Sequence, residues 1–186
     1  MKVSLIGPSN IEKLSQIIGK SPDRIKNISA EMGRTLAKNG CQLVVVFDYV
    51  GILQLVGGPF KSNGGKLEML YTENDYDWYT DIYTKYLKEA DIKTKKDSWH
   101  DLLLSLIKDS DLVICAGLSA GVFTEMGYMK WNFQERKGNV KALIGIKELL
   151  PGGKMPKELT HDKMGEMIKI ISVNDLQKTL LKFKHD

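Results

Sequence analysis

The strongest constraint on the fold of this chain is a set of short apolar runs with no polar position inside them. Leu43-Val44-Val45-Val46, Leu112-Val113-Ile114-Cys115 and Ala142-Leu143-Ile144-Gly145-Ile146 are too short for helices and too apolar for strands with one wet face. A strand that never alternates must be covered on both sides, which is the condition of a parallel sheet whose crossover helices clothe its faces. Val3-Ser4-Leu5-Ile6 and residues 66–71 and 167–171 supply further strands, about six in all.

Helical signals fall between the runs. Ser21-Pro22-Asp23 offers an N-cap, a proline at the first helical position and an early acid. Ile25, Ile28, Met32 and Leu36 then keep one face apolar until Gly40. A second helix is expected over 52–62, with a weak interior at Gly57-Gly58-Pro59 that reads equally as a loop. Ser98 and Asp101 have capping-box spacing and open a helix through Lys108; another runs from Gly121 to about Glu135, and Asn174-Asp175 caps a last one. Residues 72–96 are polar and aromatic, with Trp78, Tyr79, Tyr83 and Tyr86 near helical spacing, and are expected to hold one helix; residues 151–164 read as a long loop. No repeat and no Pro/Ser-rich linker divides the chain, so one domain over 1–186 is expected: a mostly parallel sheet of about six strands, helices on both faces.

Several function classes recede on composition. With 186 residues, 42% of them hydrophobic, there is ample material for a core. No stretch approaches the roughly 18 apolar residues of a membrane span, and MKVSLIGPSN is not the start of a signal peptide, so a cytoplasmic location is expected. Cys41 and Cys115 are far apart and read as reduced core thiols; His100, His161 and His185 have no paired-ligand spacing, so no metal site is expected. A net charge of +4 with scattered lysines fits solvated faces better than a nucleic-acid surface.

In an open parallel sheet, ligands bind beyond the carboxyl ends of the strands. Three loops leave such ends: Gly7-Pro8-Ser9, Asp48-Tyr49-Val50-Gly51, and Gly117-Leu118-Ser119-Ala120-Gly121. Glycine admits close approach of a ligand to the backbone, and free amides at a helix start favour an anion, so the last loop is a candidate phosphate seat.

The stretch CAGLSAGVFTEMGYMKW resembles the PGGxGTxxE signature of the Lonely guy family, formerly called lysine-decarboxylase-like, with Gly121, Thr124 and Glu125 in register. VVVFDYVGILQLVGGPFKSNGGKLEMLY is similar, without gaps, to that family's second strand, glycine loop, helix and third strand, with Gly51 as the last loop glycine. The opening MKVSLIGPSN and ISAEMGRTLAKNG complete a likeness over residues 1 to about 147. The resemblance implies a Rossmann-like three-layer α/β sandwich that binds a nucleotide or a phosphate, usually a homodimer, whose enzymatic members hydrolyse the N-glycosidic bond of nucleoside 5′-monophosphates. It assigns Gly7, Pro8, Ser9, Asp48, Gly51, Gly117, Leu118, Ser119, Ala120, Gly121 and Thr124 to ligand binding and Glu125 to catalysis.

The departures bear on function. The family's PGG is Gly117-Leu118-Ser119 here, its GGG is Phe47-Asp48-Tyr49, and its threonine after the glycine is Val122, so two phosphate-approach surfaces are expected to gain side chains. Leu102 stands where enzymatic members carry an arginine. A carboxylate that stabilises an oxocarbenium-like transition state lacks its cationic partner. A binder or sensor of a nucleotide or nucleotide-like cofactor, as related carriers of molybdenum cofactor are, is therefore expected ahead of a divergent phosphoribohydrolase; a nucleic-acid processing factor is the weakest reading. Glu125, counted in the first helical turn, is expected to be ionised and to face a ribose hydroxyl. Trp131 and Phe133 are candidate anchors of a dimer interface.

Overall fold

The computed structural model describes residues 1–73, 85–134, 138–161 and 163–185, with backbone alone at 131, 133, 134 and 185. The strands are β1 (Lys2–Ile6), β2 (Gln42–Val46), β3 (Lys66–Tyr71), β4 (Ile92–Lys95), β5 (Leu112–Cys115), β6 (Ala142–Ile146) and β7 (Ile168–Ile171). They form one seven-stranded, all-parallel sheet in the order β4-β3-β2-β1-β5-β6-β7. Helices cover both faces, so the architecture is the α/β, Rossmann-like one expected. The helices are α1 (Ile11–Ile18), α2 (Pro22–Lys38), α3 (Ile52–Ser62), α4 (Trp99–Lys108), α5 (Ala120–Gln134), the single turn α6 (Lys157–Thr160) and α7 (Leu176–His185).

The unbroken apolar runs occupy the middle of the sheet. Every residue of β5 and β6 is buried, as are four of five in β1 and in β2. β4 and β7 lie at the edges and show lysines to solvent, which blunts an open edge against further strand pairing. β4 is the strand the sequence reading lacked. Ile92-Lys93-Thr94-Lys95 alternates half-buried with exposed residues inside a segment expected to be helical, and four alternating positions are a weak signal. Ahead of it, Lys85 and Tyr86 are helical and a 3-10 turn follows at Leu87–Glu89, while Trp78, Tyr79 and Tyr83 lie outside the described residues. Glu68 ties this half of the sheet together: it accepts from Gln42 Nε2 at 2.6 Å and Thr94 Oγ1 at 2.8 Å, and pairs with Lys2 Nζ at 3.0 Å.

α3 runs unbroken through Gly57-Gly58-Pro59. A Cβ at Gly57 would collide with the hydroxyl of Tyr49, so the glycine makes room for a ring from the preceding loop. Gly33 of α2 meets the α3 backbone directly, where a Cβ would lie 2.9 Å from Phe60 N. The two helices thus pack at backbone contact, and the glycines that weaken the sequence signal for α3 are the ones its packing needs. The expected loop 151–164 instead holds a 3-10 turn at Pro151–Gly153 and α6. Asn174 and Asp175 lie in a 3-10 turn capped by Ser172, ahead of α7. The sequence reading also lacked α1, whose signals are local: Asn10 Oδ1 accepts from Lys13 N at 2.9 Å as N-cap, Glu12 lies in the first turn, and Gly19 closes the helix at φ 64°.

No helix among the described residues is long and apolar enough to cross a membrane. Cys41 and Cys115 are free and buried.

Two glycines are expected to respond oppositely to alanine. At Gly51, φ is 57° and a Cβ would sit 2.6 Å from Pro8 O, so Gly51→Ala should destabilise by about 2–4 kcal/mol. At Gly127, inside α5, a Cβ meets nothing within 4 Å, and Gly127→Ala should stabilise by about 0.5–1 kcal/mol. Urea unfolding of both variants checks the signs.

Candidate functional site

The sheet order puts a topological switch point between β1 and β5. From β1 the chain goes to β2, β3 and β4 on one side, then returns to β5 on the other, so the loops after β1 and β5 diverge and leave a crevice at their carboxyl ends. A cavity of about 610 Å³ opens there, within the range of about 300–1,000 Å³ typical of small-molecule sites. Pro8, Leu14, Leu118 and Pro151 line it with apolar surface, Ser9, Asn10 and Ser119 with polar groups, and Lys13 with a cation. A second cavity of about 600 Å³ lies on the other side of the β1 loop, lined by Ser9, Asn10, Glu12, Gly51 and Gln54 among others.

Two glycines hold this edge in place. Gly51 has its carbonyl-crowded position against Pro8 and Ser9, and Ile52 N donates to Pro8 O at 3.1 Å. Gly117, at φ 123°, would bring a Cβ within 2.8 Å of Pro8 Cδ. Gly7 packs as closely on Ile52, 2.7 Å from Cγ2 to where a Cβ would be. These residues position the loops and leave ligand contact to their neighbours. At the start of α5, Ser119 Oγ accepts from Val122 N at 3.3 Å, an N-cap that leaves the amides of Ala120 and Gly121 without a helical carbonyl and the serine hydroxyl proton free to donate.

Of the twelve expected site residues, Pro8, Ser9, Leu118, Ser119 and Ala120 line the first cavity, and Ser9 and Gly51 the second. Gly7 and Gly117 support them from behind. Thr124 points its hydroxyl back to Ala120 O at 3.3 Å, and Gly121, though exposed, does not border either cavity. Asp48 is half-buried and borders neither; burial pushes its carboxyl above the ordinary aspartate value. The replacement of the family's glycines by Phe47-Asp48-Tyr49 does not obstruct a ligand with rings. Phe47 and Tyr49 are fully buried, turned into the core against Trp99 at 5.9 Å and Tyr86 at 6.2 Å. The chain leaves the strand at Val46, and the two rings reach different helices, Phe47 the start of α4 and Tyr49 the middle of α3. Lys13, Ile17, Phe123 and Pro151 are lining residues the sequence reading lacked. Lys13 and Ile17 sit on α1, for which no expectation was made, and Pro151 in a 3-10 turn of the expected loop 151–164.

Glu125 requires a correction. α5 begins at Ala120, so Glu125 falls in the second turn, beyond the free amides expected to hold it ionised. Its side chain is on the buried side of the helix, 9% exposed, and borders neither cavity. Burial pushes its pKa up to about 8, so it carries its proton at neutral pH. Leu102, at the arginine position, is fully buried. Nearby, on the α4–α5 contact, His100 Nδ1 lies 3.3 Å from Tyr128 Oη. Trp131 and Phe133 have no described side chains. Among the described residues, no group of His, Cys, Asp and Glu is arranged to hold a metal ion.

Fold and site together define a Rossmann-like α/β protein with a small-molecule cavity at its switch point. The solved structures it resembles are narrower in kind. The molybdenum cofactor carrier protein of Chlamydomonas reinhardtii matches with a TM-score of 0.65 and 12% identity over 100% of this chain and 98% of that one. The molybdenum cofactor binding protein of Rippkaea orientalis matches with a TM-score of 0.65 and 16% identity over 98% of this chain and 96% of that one. No family model and no curated protein matches the chain in sequence.

The buried acid sets a pH dependence. Its folded-state pKa lies above the ordinary glutamate value, so the folded state holds a proton that the unfolded state releases, and stability falls as pH rises between about 4.5 and about 8. Relative to Glu125→Gln, the wild-type protein should lose up to about 1.4 kcal/mol per pH unit across that window. Equal pH profiles for the two proteins in urea unfolding would show that Glu125 is ionised throughout.

Proposed function

We propose that this protein binds a phosphate-bearing, ring-containing cofactor of the molybdenum cofactor type in the cavity between the β1 and β5 loops, and holds it without turning it over. The observation that carries the reading is that cavity itself: it combines apolar walls, a lysine and a capped helix start with no carboxylate at its lining. A pterin with a terminal phosphate needs apolar surface for the ring and donors for the phosphate, and both are present. The likeness to carriers of this cofactor supports the same assignment.

The cofactor itself would bring its metal, the metal's ligands and their redox chemistry. The chain's residues bind and orient: Ser119 and the amide of Ala120 receive the anion, while Pro8, Leu118 and Pro151 exclude water from the ring. Glycosidic hydrolysis draws no support from the same residues. The acid it needs is protonated inside α5, and the residue in the arginine's place is a core leucine.

Purified protein incubated with molybdenum cofactor released from a donor enzyme should retain pterin and molybdenum in equal amounts through gel filtration. At a free concentration of 100 times Kd, binding should stabilise the fold by about 2.7 kcal/mol, read as a rise in Tm. Nucleoside 5′-monophosphates should release no free base. Base release at a steady rate, with no retention of the pterin, would replace the carrier reading by the hydrolase.

A further inference from the structure

We propose that Lys13 and Phe123 are the two residues that select the ligand of the β1–β5 cavity, Lys13 by pairing with its anionic group and Phe123, together with Ile17, by receiving its flat ring. The proposal rests on reading this cavity as the cofactor site and adds to it which side chains discriminate.

Lys13 stands in an uncomfortable place for a cation. It is in the first turn of α1, where the helix dipole disfavours positive charge, and its backbone amide is already held by Asn10. Its ammonium has no acidic partner among the described residues, yet the side chain lines the cavity. A cation kept at the wrong end of a helix and left unpaired is explained by an anion that arrives from outside. It also supplies a positive group to a site whose expected arginine is a buried leucine, from α1 and not from α4.

Phe123 and Ile17 are anomalous in the complementary way. The other apolar residues of α5 near its start, Val122 and Met126, are fully buried, and so is Leu14 of α1. Phe123 and Ile17 remain 44% and 49% exposed. Among the described residues they are two of four large apolar side chains so exposed, and both border this one cavity, one from α5 and one from α1. Exposed apolar groups that converge on one cavity are uncovered because something covers them in use. A planar heterocycle gains by packing on an aromatic ring and a branched aliphatic side chain; a sugar or an inorganic anion does not need them.

Three probes separate the two contacts: neopterin monophosphate, neopterin and inorganic phosphate, titrated into the full chain by calorimetry or by pterin fluorescence. Lys13→Ala should weaken neopterin monophosphate and inorganic phosphate by roughly tenfold, flatten the salt dependence of both, and leave neopterin unchanged. Phe123→Ala should weaken both pterins by roughly tenfold and leave inorganic phosphate unchanged, while Phe123→Tyr binds as wild type. Ser119→Glu, which places a negative charge at the helix start, serves as the control for the site. If Ser119→Glu abolishes binding but Lys13→Ala and Phe123→Ala bind as wild type, the selecting residues are wrong and the site stands. If neopterin monophosphate binds equally to wild type and Ser119→Glu, or to neither, the site reading fails and this inference with it.

Discussion

The carboxyl edge of the sheet depends on how tightly Pro8 is gripped. Its carbonyl accepts the first amide of α3 at 3.1 Å, and its ring lies against Gly117. Gly51 approaches it from one side with φ 57° and Gly117 from the other with φ 123°, positions where a side chain would strain the backbone and strike the proline. One residue therefore fixes the loops of three neighbouring strands, β2, β1 and β5. The cavity exists because those loops are held by glycine–proline contact at their bases and diverge above it. Glycine in this edge serves close approach of protein to protein, and the ligand meets the residues beside it.

That distinction explains what was legible in the sequence. The parallel sheet was readable because its four central strands are buried on both faces, and a residue in that position has almost no alternative to an apolar identity. β4 has water on one side of an edge, so Lys93 and Lys95 are as suitable there as hydrophobic residues would be, and the strand signal dissolves. The glycine loops were readable as a ligand edge, but glycine reports only that something comes close. At Gly51 and Gly117 the close atom belongs to Pro8 or Ser9; at Gly121 a Cβ would meet only Ser119 Oγ, at 3.9 Å. The residues that line the cavity with charge and ring, Lys13 and Phe123, look in sequence like any surface lysine and any core phenylalanine. Only the path of α1 across the β1–β5 crevice brings them to one place.

The side chains at 47–49 likewise serve the packing of protein on protein. Two aromatics in place of glycines look like an obstruction when the loop is drawn as a flexible segment. They are instead both fully buried, each against a different helix. Phe47 closes edge-on against Trp99 at the head of α4, and Tyr49 fills the space that Gly57 leaves in α3. The loop gains buried area and rigidity, and the face turned to solvent receives only Asp48. Replacing glycine with bulk here strengthens the scaffold under the site.

The state of Glu125 follows from the same burial and bears on what the site does. An ionised carboxylate beneath a bound phosphate would repel it, with little water between to screen the charge, and a hydrolase accepts that repulsion because the acid stabilises the cation formed at the transition state. With the arginine gone no cation would balance such an acid. The side chain is withdrawn to the inner side of α5, beside Cys115, whose thiol is pushed up to about 12, first by burial and in small part by Glu125. A protonated acid in that position neither repels an anion in the cavity nor assists bond cleavage. The positive charge at the cavity is that of Lys13, and no carboxylate shares its lining. The charge at this edge is thus one cation at the cavity, donors at the helix start, and the acid of the signature held in the core.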